Sequence, residues 1–287
     1  MKSTPFHFEF RPDFSALALG VLLFWPGALQ AQHVHVNAGA SNTTQNARLY
    51  FPNGSTYNTS ARYDVYLSFT NGGSFSNLYQ GAGVSFTALA STADNGGPAF
   101  GHAADGAFLQ LQLVSMSGPP GGVFGVWSQQ IGTPAISHPL FSLPVGATNG
   151  TNLLNLSESD GSLGADPYGH IHGRTFTATK PGLYTLGCRI LDTSSNGTGG
   201  GPIHTPSALY YFYFQAGLTI SSWAKNSNSF AVTFGTTAGK TYHVESSTNL
   251  TTTNWTTFAG PFTGDNKLRT ATNSSAAPTL FFRLRSN

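Results

Sequence analysis

The chain has 287 residues, 39% of them hydrophobic and 13% aromatic, which gives room for two domains and a sizeable core. Only 8% are charged and the net charge is +2, so no basic stripe for nucleic acid exists. The polar positions go instead to Gly, Ser, Thr and Asn, a mix that suits strands and turns and is poor for helices.

In chain order, the first feature is a leader. Lys2 and Arg11 precede an apolar run at residues 16–29, which Gln30-Ala31-Gln32 follows. This is the layout of a secretory signal over residues 1–32. The run is short for a membrane span and is broken by Pro26 and two glycines. Export to the periplasm, the cell surface or the medium is the expectation, with no membrane span once the signal is removed.

Strand patterns then recur: YDVYLSFT (63–70), GVSFTALA (83–90), AFLQLQLVSM (107–116), VFGVWS (123–128), RTFTAT (174–179), LYTLGCRI (183–190) and ALYYFYFQAG (208–217). Turn residues bound them, as in NGG, DNGGP, GPPGG, KPG and NGTGGGP. No segment holds a helical period with caps. The expected class is all-β, an antiparallel β-sandwich over residues 33–217. A second set of strands with its own aromatics, among them Trp223, Phe230, Phe234, Tyr242, Trp255 and Phe258, starts near Leu218. Residues 218–287 read as a small sandwich of the fibronectin type III sort. The single cysteine, Cys188, lies in a strand pattern and reads as a buried thiol, so neither an internal disulfide nor a cysteine-based zinc site can form.

The chemistry lies in the histidines. There are nine, eight of them beyond His7. His33/His35 in HVHVNAG and His170/His172 in DPYGHIHGRTF each stand at i, i+2. In a strand such residues share a face, and two imidazoles there can lean onto one ion. His204, held between glycines and Pro206 in GGGPIHTPS, is the fifth candidate metal ligand. Glu158, Asp160 and Asp166, just upstream of His172, can supply an oxygen or orient an imidazole, and Arg174 is expected to share the His172 face and pair with one of them. The same acids also suit a plain turn. His102 and His138 read as isolated loop residues, and His243 as solvent-facing. No nucleophile elbow, metalloprotease motif or phosphate loop occurs, so the chain reads as non-catalytic.

The ordered motifs HVHVNAGA, LYFPNG, DPYGHIHGRTFTATKPGLYTLG and GGGPIHTPSALYYFYFQAG resemble the zinc-repressor-regulated (Zur-repressed) PEP-CTERM surface proteins of bacteria. The H-x-H-x-x-x-F-x-x-x-x-P-G-x-Y segment is similar to the surface-anchored repeat of actinobacterial wall proteins. The first resemblance covers residues 33–217. It implies an exported protein made when zinc is scarce, one that binds or scavenges Zn2+, with His33, His35, His170, His172 and His204 in its motifs. Copper or nickel suit the same donors. The last residues, FFRLRSN, lack that family's sorting tail. Residues 218–287 resemble instead a β-module found at the ends of exported bacterial proteins, suited to attachment to a cell surface or polysaccharide.

Two other readings stand beside this one. Cleavage after Gln32 makes His33 an N-terminal copper chelator, as in copper-dependent polysaccharide oxygenases. Alternatively the chain is a structural or carbohydrate-binding module with Trp127, Trp223 or Trp255 as sugar platforms.

Overall fold

The structure is a computed structural model that describes residues 34–56, 63–91, 101–128, 138–251, 254–277 and 279–287. Seventeen strands occur among them. The first eleven are β1 (Val34–Ala40), β2 (Leu49–Tyr50), β3 (Val65–Thr70), β4 (Leu78–Ala88), β5 (Leu109–Ser117), β6 (Val123–Val126), β7 (Phe141–Pro144), β8 (Asn152–Asn155), β9 (Gly169–Ala178), β10 (Gly182–Asp192) and β11 (Tyr210–Ala216). They form one hydrogen-bonded path, β7-β6-β9-β4-β3-β11-β10-β5-β8, with β1 on the edge of β4 and β2 on β1.

Period-two burial explains the layering. Along β5, Leu109, Leu111 and Leu113 are buried while Gln110 and Gln112 between them are half-exposed. The path doubles over at β3, so its two halves face each other. Phe124 (β6) and Phe176 (β9) meet Phe214 (β11) at centroid distances of 4.7 and 4.9 Å. Phe86 (β4) meets Phe212 (β11) edge-on at 5.6 Å. These rings and the surrounding Leu, Val and Ala side chains form one core, and each buried aromatic is worth about 3–5 kcal/mol against truncation to Ala. The all-β sandwich expectation is therefore met, with one difference. Two pairings are parallel, β1 with β4 and β11 with β3. Both join strands distant in sequence, where no tight hairpin dictates an antiparallel course. Turn chemistry does dictate the β5–β6 connection: Pro120 precedes Gly121 at φ 66°, and Gly122 N–H closes on Pro119 C=O at 2.9 Å, the pattern of a type II turn.

Beyond Leu218 come β12 (Ile220–Asn226), β13 (Ser229–Gly235), β14 (Thr241–Ser247), β15 (Thr256–Thr263), β16 (Leu268–Ser274) and β17 (Phe281–Ser286). They make two three-stranded sheets, β12-β13-β16 and β15-β14-β17. A second core of Phe230, Val232, Phe234, Tyr242, Val244, Phe258 and Ala271 lies between them. Tyr63, just ahead of β3, donates its hydroxyl to the Thr236 carbonyl. Burial pushes that phenol up to about 12, so it stays a donor. No helix among the described residues is long and apolar enough to cross a membrane.

Candidate functional site: a histidine pair across β4

The second half of β4, Val84-Ser85-Phe86-Thr87-Ala88, is flanked on both edges. β1 runs parallel to it, with His35 opposite Ser85 and Asn37 opposite Thr87. β9 runs antiparallel on the other side, with His170 opposite Thr87 and Ile171 opposite Phe86. Val84, Phe86 and Ala88 point into the core. Ser85 and Thr87 point the other way, and both are buried all the same. What lies over them includes two imidazoles.

His35 and His170 lie on strands two spacings apart, about 10 Å across the sheet, and are offset by two residues, opposite Ser85 and Thr87 respectively. Their rings close that gap and meet at a centroid distance of 4.9 Å and an interplanar angle of 62°. Small side chains on the intervening strand leave the space. Thr87 also steers one ring, its Oγ1 lying 3.3 Å from His35 Nδ1. The backbones beneath the two histidines are fixed as well. Asn53 donates from Nδ2 to the His35 carbonyl at 2.8 Å and accepts from Asn37 N–H at 2.9 Å, standing in for a neighbouring strand on the edge of β1. Glu158 Oε1 accepts from His170 N–H at 2.8 Å.

This spacing suits one shared cation. A zinc–nitrogen bond of about 2.1 Å puts a ring centroid about 3.2 Å from the ion, and two such rings at a tetrahedral angle stand about 5 Å apart. Two donors are fewer than a zinc site uses, and among the described residues no three His, Cys, Asp or Glu side chains converge as a metal cage. His33 lies outside the described residues. The backbone of His172 is within β9, but its side chain is outside them.

The structure does not bring His204 to this pair. His204 is 1% exposed. Nε2 accepts from Ala104 N–H at 2.9 Å, so Nδ1 carries the proton toward the Ala47 carbonyl at 3.2 Å. Both nitrogens are engaged and no lone pair is left for a metal. Burial lowers its pKa, against an opposing pull from Asp192. Asp192 anchors the same corner. Its Oδ1 accepts from Phe108 and Ser194 N–H, and its Oδ2 from Ile203 and His204 N–H, all at 2.8–3.0 Å.

Of the upstream acids, Asp160 and Asp166 act as the turn reading expects. Asp160 accepts from Ser162 N–H and Asp166 from Tyr168 N–H, each two residues ahead and each at 2.9 Å. Arg174 departs from expectation. A register shift between Val84 and Phe86 turns the strand, Arg174 stands opposite Val84, and among the described residues it makes no ion pair. Burial lowers its guanidinium pKa. His243 is half-buried rather than solvent-facing, with a buried Nδ1. Cys188 is buried and its thiol pushed well above the ordinary range by desolvation, which makes it inert. Trp127 is a core residue whose Nε1 donates to Thr177 Oγ1 at 2.9 Å.

Sequence reasoning found both paired histidines but not Ser85, Thr87 or Asn53. The V-S-F-T-A alternation carried a signal for the first two: small polar residues on one face of a strand whose other face is apolar. Comparison with family models, with curated proteins and with solved structures gave no match.

Proposed function

We propose that the chain is an exported, non-catalytic metal-binding protein whose ion, Zn2+ before Cu2+, is held by His35 and His170. The single observation that carries the reading is the 4.9 Å approach of these two rings across β4, the separation one tetrahedral ion requires. His33 and His172, each two residues from a member of the pair, are the proposed completing ligands. His204 is not among them, because its nitrogens serve the backbone. Thr87, Asn53 and Glu158 hold the two ligands in place, as outer partners do in metal sites generally. The leader pattern read at residues 1–32 supports binding outside the cytoplasm, with scavenging or storage of scarce zinc as the role.

The test is a zinc titration of the full chain against His35→Ala/His170→Ala. The reading predicts one tightly bound equivalent in the parent and none in the double variant. An unchanged stoichiometry in the double variant removes the site.

A further inference from the structure

Among the described residues, the strands β12–β17 bring two sheet edges together on one side of the module. β15 and β16, the edge strands of the two sheets on that side, come together. On the other side the edges are β12 and β17, each paired with a single neighbour. Trp223 is opposite Val232 and Lys225 opposite Phe230, so both point to the face that carries the core. Yet Trp223 is 69% exposed, and every residue of β12 from Ser221 to Asn226 is exposed. Trp223 is therefore a core-side tryptophan left largely open to solvent. The groove there has a volume of about 450 Å3 and is lined by Trp223, Lys225, Phe230, Val232, Leu280 and Phe282.

The edge of β17 supplies what a strand needs. Thr241 and Asn287 exchange both backbone hydrogen bonds. Alternation along this antiparallel pair then turns the N–H and C=O of Phe282, Leu284 and Ser286 away from β14, toward the groove side. Their outward neighbours Arg283 and Arg285 share one carboxylate, Glu245, at 2.6 and 2.9 Å. That face therefore keeps a net positive charge, and Lys225, 5.2 Å from the Phe230 ring centroid, adds another at the groove.

We propose that this open side accepts an extended segment of a partner chain, which adds to β17 as a seventh strand. The incoming strand alternates apolar side chains, laid over Trp223 and Phe282, with acidic ones beside Arg283 and Arg285. Main-chain bonds give affinity and the alternation gives specificity. A second copy offering its own β17 is a poor occupant, because it sets arginine against arginine.

The test uses the full chain and a labelled, capped nonapeptide of alternating Val and Glu, read by fluorescence anisotropy and by hydrogen exchange. Saturable binding is expected, with slowed exchange at Phe282, Leu284 and Ser286. Replacing Glu by Lys in the peptide weakens binding roughly tenfold or more. N-methylation of alternate peptide nitrogens abolishes it, and Trp223→Ser, an exposed change that leaves the fold intact, weakens it roughly fivefold or more. Absence of saturable binding overturns the proposal. So does binding indifferent to N-methylation, which signals a side-chain patch instead of a strand site. Tight binding of a β-glucan oligosaccharide in place of the peptide overturns it in favour of a sugar platform.

Discussion

The two histidine environments of this chain differ in what the rings face. His204 faces backbone: each nitrogen meets a peptide group, the ring is sealed, and the four N–H donors on Asp192 lock the segment around it. His35 and His170 face each other over Ser85 and Thr87, half-buried. The first arrangement is saturated and therefore structural. The second brings two imidazoles within 4.9 Å of each other over a pair of small polar side chains. A histidine's role is thus set by its neighbours' hydrogen-bonding capacity, which a sequence motif does not contain.

The sharpest way to break the contrast is at the structural corner. Asp192→Ala leaves four buried or half-buried N–H groups without their acceptor. A loss of about 4 kcal/mol in unfolding free energy is expected by urea denaturation. A loss below about 1 kcal/mol would show that the corner is not the anchor described. His204→Leu strands the Ala104 N–H and should cost about 2 kcal/mol at pH 7.5, with zinc stoichiometry unchanged. Loss of the metal in a folded His204→Leu protein would put His204 back among the ligands.

The acid response sharpens the same distinction. His204 has a lowered pKa in the folded chain through burial, while an unfolded imidazole takes its proton near pH 6.5. The unfolded state therefore binds the proton first. Metal-free stability is full above about pH 6.5 and falls as pH drops from there toward the lower native value. Denaturation midpoints between pH 7.5 and 5 should show this slope in the chelator-treated parent and a shallower one in His204→Leu. Equal slopes would contradict the assignment.

At the paired site the expected effects on stability are smaller and those on binding larger. His35→Ala/His170→Ala should change metal-free stability by less than about 1 kcal/mol, because the rings are half-buried, while abolishing zinc binding. Thr87→Val keeps the shape and removes the hydroxyl beside His35, so zinc affinity should drop about tenfold by competition with a chelating dye. No change would mean that Thr87 fills space and orients nothing.

Much of this was legible beforehand. The alternating runs around residues 63–70, 107–116 and 183–190 fall on β3, β5 and β10 because period-two burial acts locally on each strand. The i, i+2 histidines were visible for the same reason. What brings His35 to His170 is a parallel pairing of β1 with β4 and an antiparallel pairing of β4 with β9, contacts over fifty and eighty residues. No local pattern encodes such a register. Grouping His204 with the others followed from its glycine-rich setting, which in fact serves to thread the backbone past Asp192. Arg174 makes no ion pair among the described residues, and nothing in GHIHGRTF apart from Gly173 announces the register shift between Val84 and Phe86 beside it.

The most direct measurement is X-ray absorption at the zinc edge on the zinc-loaded full chain and on His35→Ala/His170→Ala. The account predicts nitrogen neighbours at about 2.0–2.1 Å with the outer-shell scattering of at least two imidazoles, lost in the double variant. An oxygen-only shell in the parent, or the same imidazole spectrum in both proteins, would contradict it.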